Sequence, residues 1–268
     1  MISFLRLEIG MPPQWEMTLL IGALGAVIGS FLNVCIHRLP RGESLVRPRS
    51  RCPACGAQIR AVDNVPLLSF LWLRGRCRDC RAAISIRYPA VELLNGLGYV
   101  LLWRRFGWTP DALIYGVFFS ALVVVTFIDW DHQIIPNRIT LPGIVFGLVS
   151  AATVLTGSFV DAVIGAALGG GLLYAVAVAS EWVLKKEGMG LGDVKLLAMI
   201  GAFLGWKAVL VTVFVGALGG SLVGLALMAL KLKRREDPIP FGPFLAVGAV
   251  SALFAGPELI VWYLRLGA

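Results

Sequence analysis

Eight stretches of the chain are almost continuously apolar, and charged residues are confined mainly to the breaks between them. The stretches fall at roughly 17–37, 88–104, 111–129, 138–156, 160–184, 192–206, 208–230 and 241–264. A helix needs about 20 apolar residues to cross the hydrocarbon core of a bilayer. Most of these runs reach that length; the second and sixth are short or interrupted, so the pattern also fits seven or nine crossings. With 58% of its 268 residues hydrophobic and only 15% charged, the chain is too apolar for a soluble domain of its size. The fold expected is an all-α polytopic membrane protein with about eight transmembrane helices. Residues 1–16 contain no basic segment leading into a cleavable site, so the first run is read as a retained helix. Pro142 and Pro257 should kink or interrupt their helices. Two glycine clusters, Gly165, Gly169, Gly170, Gly171 and Gly216, Gly219, Gly220, Gly224, have the spacing of close helix packing in lipid. No internal repeat, heptad array or low-complexity tract is evident.

Charge sets the expected orientation. With eight crossings, one side receives loops 38–88, 130–138, 185–195 and 231–237, which hold 19 of the 24 basic residues. Cytoplasmic loops are the ones enriched in Lys and Arg. These loops are therefore placed in the cytoplasm and both termini outside. The net charge of +8 reads first as a topology signal, with anionic lipid headgroups as a secondary partner. Nucleic acid is not expected, because no basic helix carries base-stacking aromatics.

One segment looks like a separate module. Residues 38–88 are rich in Arg and turn residues and hold four of the five cysteines. About fifty residues bury too little core to fold unaided and need a staple. Cys52, Cys55, Cys77 and Cys80 form two C-x2-C pairs with 21 residues between them. That is the pattern of two zinc knuckles completing a tetrahedral thiolate site. The rival, a pair of disulfides, does not suit a reduced cytoplasmic loop. Four thiolates leave no open position, so such a zinc is structural. Cys35 lies inside the first run, two residues from His37. Positions i and i+2 point to different faces of a helix, so a packed, inert Cys35 is expected rather than a Cys–His nucleophile.

The candidate chemistry lies in two aspartates. Asp129 ends one apolar run in FIDWDHQIIP, and Asp193 opens another in GMGLGDVK. The charge map puts both edges on the same side of the bilayer. A carboxylate at membrane depth is costly and marks a functional site by default. Two that meet across a bundle can share one proton, as an aspartic protease requires. Gly190 and Gly192 allow close backbone approach beside Asp193, and a helix N-terminus there favours its charged form. Each aspartate also has a plain reading: Asp193 as a first-turn carboxylate with Lys195 nearby, Asp129 as a solvated helix end. Asp131 is an alternative to Asp129. With only His37 and His132 in the chain, no Ser–His–Asp set is credible, and no HExxH motif or Walker loop occurs.

Several of these segments together resemble the type IV prepilin peptidases of bacteria, GxGD-type intramembrane aspartic proteases. They are GSFLNVCIHRLP (29–40), DNVPLLSFLWLRGRC (63–77) with the tetracysteine loop, SIRYPAVELL (85–94), IDWDHQIIPN (128–137), GMGLGDVKLLAM (188–199) and PIPFGPFLA (238–246). The resemblance implies that Asp129, the first residue of D-x6-P, and Asp193, of GxGD, are the catalytic pair, with Asp131 in support. It implies three parts: residues 1–37 with the first helix, a tetracysteine zinc domain over 38–88, and a protease core over 89–268. It also implies cleavage of the basic leader of type IV prepilins or type II secretion pseudopilins after a glycine, at the cytoplasmic face of the inner membrane. Members with the tetracysteine domain commonly methylate the new N-terminal residue with S-adenosylmethionine. No motif marks a site for that donor; loop 38–88 and nearby helix ends are the expected region. Recognition of the leader is expected to be local, through acidic groups such as Glu43, Glu181 or Glu187. A peptidase without methylation, an acid-lined transporter and a non-catalytic zinc scaffold are the competing readings. The particular substrate and the oligomeric state are not legible.

Overall fold

The computed structural model describes residues 14–184, 190–232 and 239–266. Lys185, Lys186, Glu187, Lys233, Arg234 and Arg235, used above for orientation or recognition, lie outside these residues. The described chain is helical: α1 (Gln14–Arg38), α2 (Leu68–Trp72), α3 (Arg87–Phe106), α4 (Pro110–His132), α5 (Asn137–Thr153), α6 (Phe159–Leu184), α7 (Leu191–Ala229) and α8 (Gly242–Leu266). Every predicted apolar run is a helix or half of one. Four segments, Gln14–Arg41, Pro110–His132, Phe159–Trp182 and Leu191–Ala229, are long and apolar enough to cross a membrane.

The longest of them is two helices. Gly205 interrupts α7 with φ 79° and ψ 174°, a conformation that only glycine adopts at little cost. A Cβ on Gly169 of α6 would meet Leu197, before the break, while Leu172 lines a groove with Leu210 and Val213, after it. Residues on both sides of Gly205 thus lie at similar heights along α6. The run is therefore a hairpin, and the predicted division near 206–208 falls at its bend. Neither proline interrupts its helix: α5 runs through Pro142 and α8 runs over 242–266.

Close packing is concentrated at α6 against the first half of α7. A Cβ on Gly165 would stand 2.5 Å from the Gly201 carbonyl, and one on Gly201 would stand 2.1 Å from the Gly165 carbonyl. Gly165 and Gly169 of the predicted cluster make such contacts, whereas a Cβ on Gly171 meets nothing within 4 Å. On the other side, Gly216 of α7 faces Phe244 and Thr212 faces Gly248, so α8 runs antiparallel to the second half of α7.

A run of paired polar groups crosses the first part of the bundle. Asn95, fully buried on α3, donates to Gly25 O on α1 (2.7 Å) and accepts from Ser120 Oγ on α4 (3.1 Å). Tyr99 OH lies 3.2 Å from the same hydroxyl. Where water is absent each unsatisfied group costs several kcal/mol, so this chain of bonds fixes how α1, α3 and α4 meet. A Cβ on Gly98 would come within 2.1 Å of the Phe119 ring, which sets the α3–α4 approach.

Candidate active site

Asp129 is in the last turn of α4 and is 5% exposed. The helix stops three residues later because Gln133 takes a left-handed conformation and returns its N–H to Asp129 O at 2.8 Å. Ile134–Pro136 then turn the chain into α5. Asp193 is the third residue of α7, with Gly190 at the N-cap and the Asp193 N–H bonded to Gly190 O at 3.1 Å. The fold brings both sequence candidates to the same end of the bundle: Gly192, beside Asp193, abuts Ile135 of the turn that follows Asp129. Asp129 Oδ2 accepts the backbone N–H of Gly242, the first residue of α8, at 2.9 Å. Asp193 Oδ1 is buried and has no partner among the described residues.

The residues around the pair take roles the sequence did not foresee. Asp131 turns away from the pair and binds the Arg87 guanidinium, which also donates to Phe127 O at 3.1 Å and lies over the Phe127 ring. Arg87 opens α3, so this ion pair ties the exit of the cysteine module to the end of α4. Lys195 does not neutralise Asp193; its Nζ donates to Asn137 Oδ1 of α5 at 2.9 Å. The space expected beside Gly192 is filled by Ile135, whose Cβ would lie 2.9 Å from an added methyl. Gly192 therefore lets the α4–α5 turn seat closely on α7. Cys35 is buried among α1 and α3 side chains, as expected.

The second cluster is the tetracysteine module. The sulfurs of Cys52, Cys55, Cys77 and Cys80 all lie within 4.8 Å of one another. Each C-x2-C is the same short loop, repeated 25 residues on, a local repeat that the sequence reading did not register. Cys52 N–H bonds Ala57 O and Gly56 N–H bonds Cys52 O, both at 2.9 Å; Cys77 N–H bonds Ala82 O at 2.8 Å and Arg81 N–H bonds Cys77 O at 3.0 Å. Bridges Arg51–Gln58 and Arg76–Ala83 close the two loops. Gly56 and Arg81 hold the same left-handed position, at φ 72° and 61°. Backbone N–H groups of Cys55 and Ala54 pull the Cys52 thiol down to about 7. The Ala57 N–H acts likewise on Cys55, but Cys80, burial and Cys52 push that thiol up to about 12. Four sulfurs so close cannot all ionise unaided, and a soft cation is what lets them. This donor set suits a closed tetrahedral metal site.

The module is braced from within and anchored to α3. Arg78 grips Asp63 with bonds of 2.5–3.0 Å, holding that carboxyl below its usual range. The buried Glu92 carboxylate of α3 accepts the Leu67 N–H at 2.8 Å, where the chain passes through φ 60° just before α2.

Comparison with known proteins shows the family. Residues 23–106 match the model of the bacterial peptidase A24 N-terminal domain, and residues 116–225 match that of the type IV leader peptidase family. A prepilin leader peptidase/N-methyltransferase of Aeromonas salmonicida is 40% identical over 98% of this chain and 99% of its own length. The chain belongs to the type IV leader peptidase family. Similar proteins of the same name occur in Aeromonas hydrophila, 41% identical over 98% of this chain and 99% of the relative, and in Pseudomonas aeruginosa, 38% identical over 90% and 91%. No solved structure matches. Together with its four apolar helices, membership makes the chain a multi-pass membrane protein.

Proposed function

We propose that this protein is a prepilin leader peptidase and N-methyltransferase, with Asp129 and Asp193 as its catalytic pair. The observation that carries the proteolytic half is the placing of two carboxylates at one end of the bundle: Asp129, buried on α4 and held by the Gly242 N–H, and Asp193, partly buried on α7 with an Oδ1 that lacks a donor among the described residues. In the reaction, a water held between them loses a proton to Asp129 as its oxygen attacks the scissile carbonyl carbon. Asp193 gives its proton to the carbonyl oxygen, and a gem-diol forms. The diol then returns a proton to Asp193 while Asp129 protonates the leaving nitrogen, the C–N bond breaks, and both carboxyl groups are restored. The substrate is the boundary between a basic leader and the apolar helix of a type IV prepilin or type II pseudopilin, cut after glycine. Such a boundary sits at the membrane surface, which matches carboxylates at helix ends.

Orientation follows the basic loops: the module 38–88 and the pair lie on the cytoplasmic side of the bacterial inner membrane, with about eight crossings and both termini outside. Residues 89–268 form the protease core. Cys52, Cys55, Cys77 and Cys80 would hold Zn2+, which supplies the fold of the module and no chemistry. The names of the relatives support S-adenosylmethionine as co-substrate for methylating the new amine, near the module and adjoining helix ends. The test is incubation of purified protein with a prepilin, with and without S-adenosylmethionine, reading product mass. Loss of the leader in both, with one added methyl only when the donor is present, is the expected result. Leader removal without methyl addition leaves a peptidase alone.

A further inference from the structure

Asp129 is held by a residue that carries no side chain at all. The N–H of Gly242 that reaches Oδ2 belongs to the first turn of α8, where helix N–H groups have no partner within the helix. The next residue is Pro243, which has no N–H to offer. The backbone at Gly242 is not left-handed, since it is absent from the positive-φ glycines; conformation therefore does not call for glycine here. Contact does. A Cβ at 242 would stand 2.7 Å from Asp129 Oδ2, 3.2 Å from its Cγ and 3.3 Å from its Cβ. The turn is itself fixed: Phe244 and Leu245 N–H both bond Phe241 O, and Phe244 packs on Gly216, Gly219 and Gly220 of α7. The hairpin that bears Asp193 thus also seats the donor to Asp129.

The geometry points to Gly242 as a positioning residue for proteolysis: its bare backbone N–H fixes the orientation of the Asp129 carboxylate and assigns it the role of base. A donor at a helix N-terminus favours the charged form of a carboxylate. Asp193 also lies in the first turn of a helix, but its buried Oδ1 receives no donor among the described residues, so it keeps the shared proton and acts as acid. This inference rests on the proteolytic reading above.

The experiment compares Gly242→Ala with Gly256→Ala, on the same helix, where a Cβ meets nothing within 4 Å. Both are made in the full-length protein in detergent and assayed on purified prepilin. Gly242→Ala should lower kcat about 100-fold with KM changed less than about twofold, as expected when a reacting group is displaced by about 1 Å. Gly256→Ala should match wild type. A thermal-unfolding cycle covers the case in which Gly242→Ala folds poorly. Adding Gly242→Ala to Asp129→Ala, which lacks the two nearer atoms and keeps only the Cβ at 3.3 Å, should cost clearly less stability than in the presence of Asp129. Wild-type kcat in Gly242→Ala, a change in KM alone, or an equal loss of stability in the Asp129→Ala background would each overturn the inference. Full cleavage by Asp129→Asn would instead remove the proteolytic reading itself.

Discussion

Asp129 and Asp131 are two residues apart and have opposite fates. Positions i and i+2 on a helix do not share a face; Asp129 turns inward to Gly242 and Asp193, and Asp131 turns outward to Arg87. Asp131→Asn should therefore reduce kcat only a few-fold, the scale of a lost partly exposed ion pair. A loss as deep as that of Asp129→Asn would move the catalytic role to Asp131. Sequence spacing exposed Asp129, Asp193 and the four cysteines, because unusual side chains at unusual places are visible in a sequence. The choice between Asp129 and Asp131 was not visible in the residues alone, and came from resemblance. Gly242 was legible only as part of a quoted motif, since a backbone donor leaves no side-chain signature. Arg81 is a second residue-scale case. It occupies the left-handed position that Gly56 fills in the twin knuckle, and left-handed backbone costs a non-glycine residue roughly 1 kcal/mol. Arg81→Gly should stabilise the module by about 0.5 kcal/mol after the entropy of glycine is set against it, seen as about twofold slower loss of metal to a chelator. Faster loss would show that the Arg81 side chain matters more than its backbone.

At the scale of elements, packing is decided by where backbones touch. Gly165 and Gly201 press α6 and α7 together carbonyl to Cα, while Gly171, one helical turn and a half further on, faces open space. Gly201→Ala should lower the unfolding temperature in detergent by about 5 °C or more, the effect of overpacking by about 2 kcal/mol. Gly171→Ala should leave it nearly unchanged. Equal effects would mean that the two helices are not in close contact. The glycine clusters were legible from spacing, but which glycines touch was not, because the partner Gly201 lies outside either cluster. The hairpin at Gly205 was foreseen only as a gap between apolar runs. Its cause, a single glycine in a conformation other residues avoid, has no hydropathy signature. Neither Pro142 nor Pro257 ends its helix, since a helix in lipid can continue past proline.

The whole molecule joins three units at one end of a helical bundle. Polar bonds through Asn95 tie α1, α3 and α4 together; Glu92 and Arg87 tie the cysteine module to α3 and the end of α4; and Gly242 ties α8 to Asp129. The match to a relative likewise covers nearly the whole chain and not the local motifs alone. The central claim is that these two carboxylates work as one unit on a peptide bond. Its most direct test is the cleavage rate of purified prepilin by wild type, Asp129→Asn and Asp193→Asn, each checked for intact folding by its unfolding temperature. Removal of either proton-transferring group should cut the rate by about a thousandfold or more. Near-wild-type cleavage by either folded variant would contradict the account.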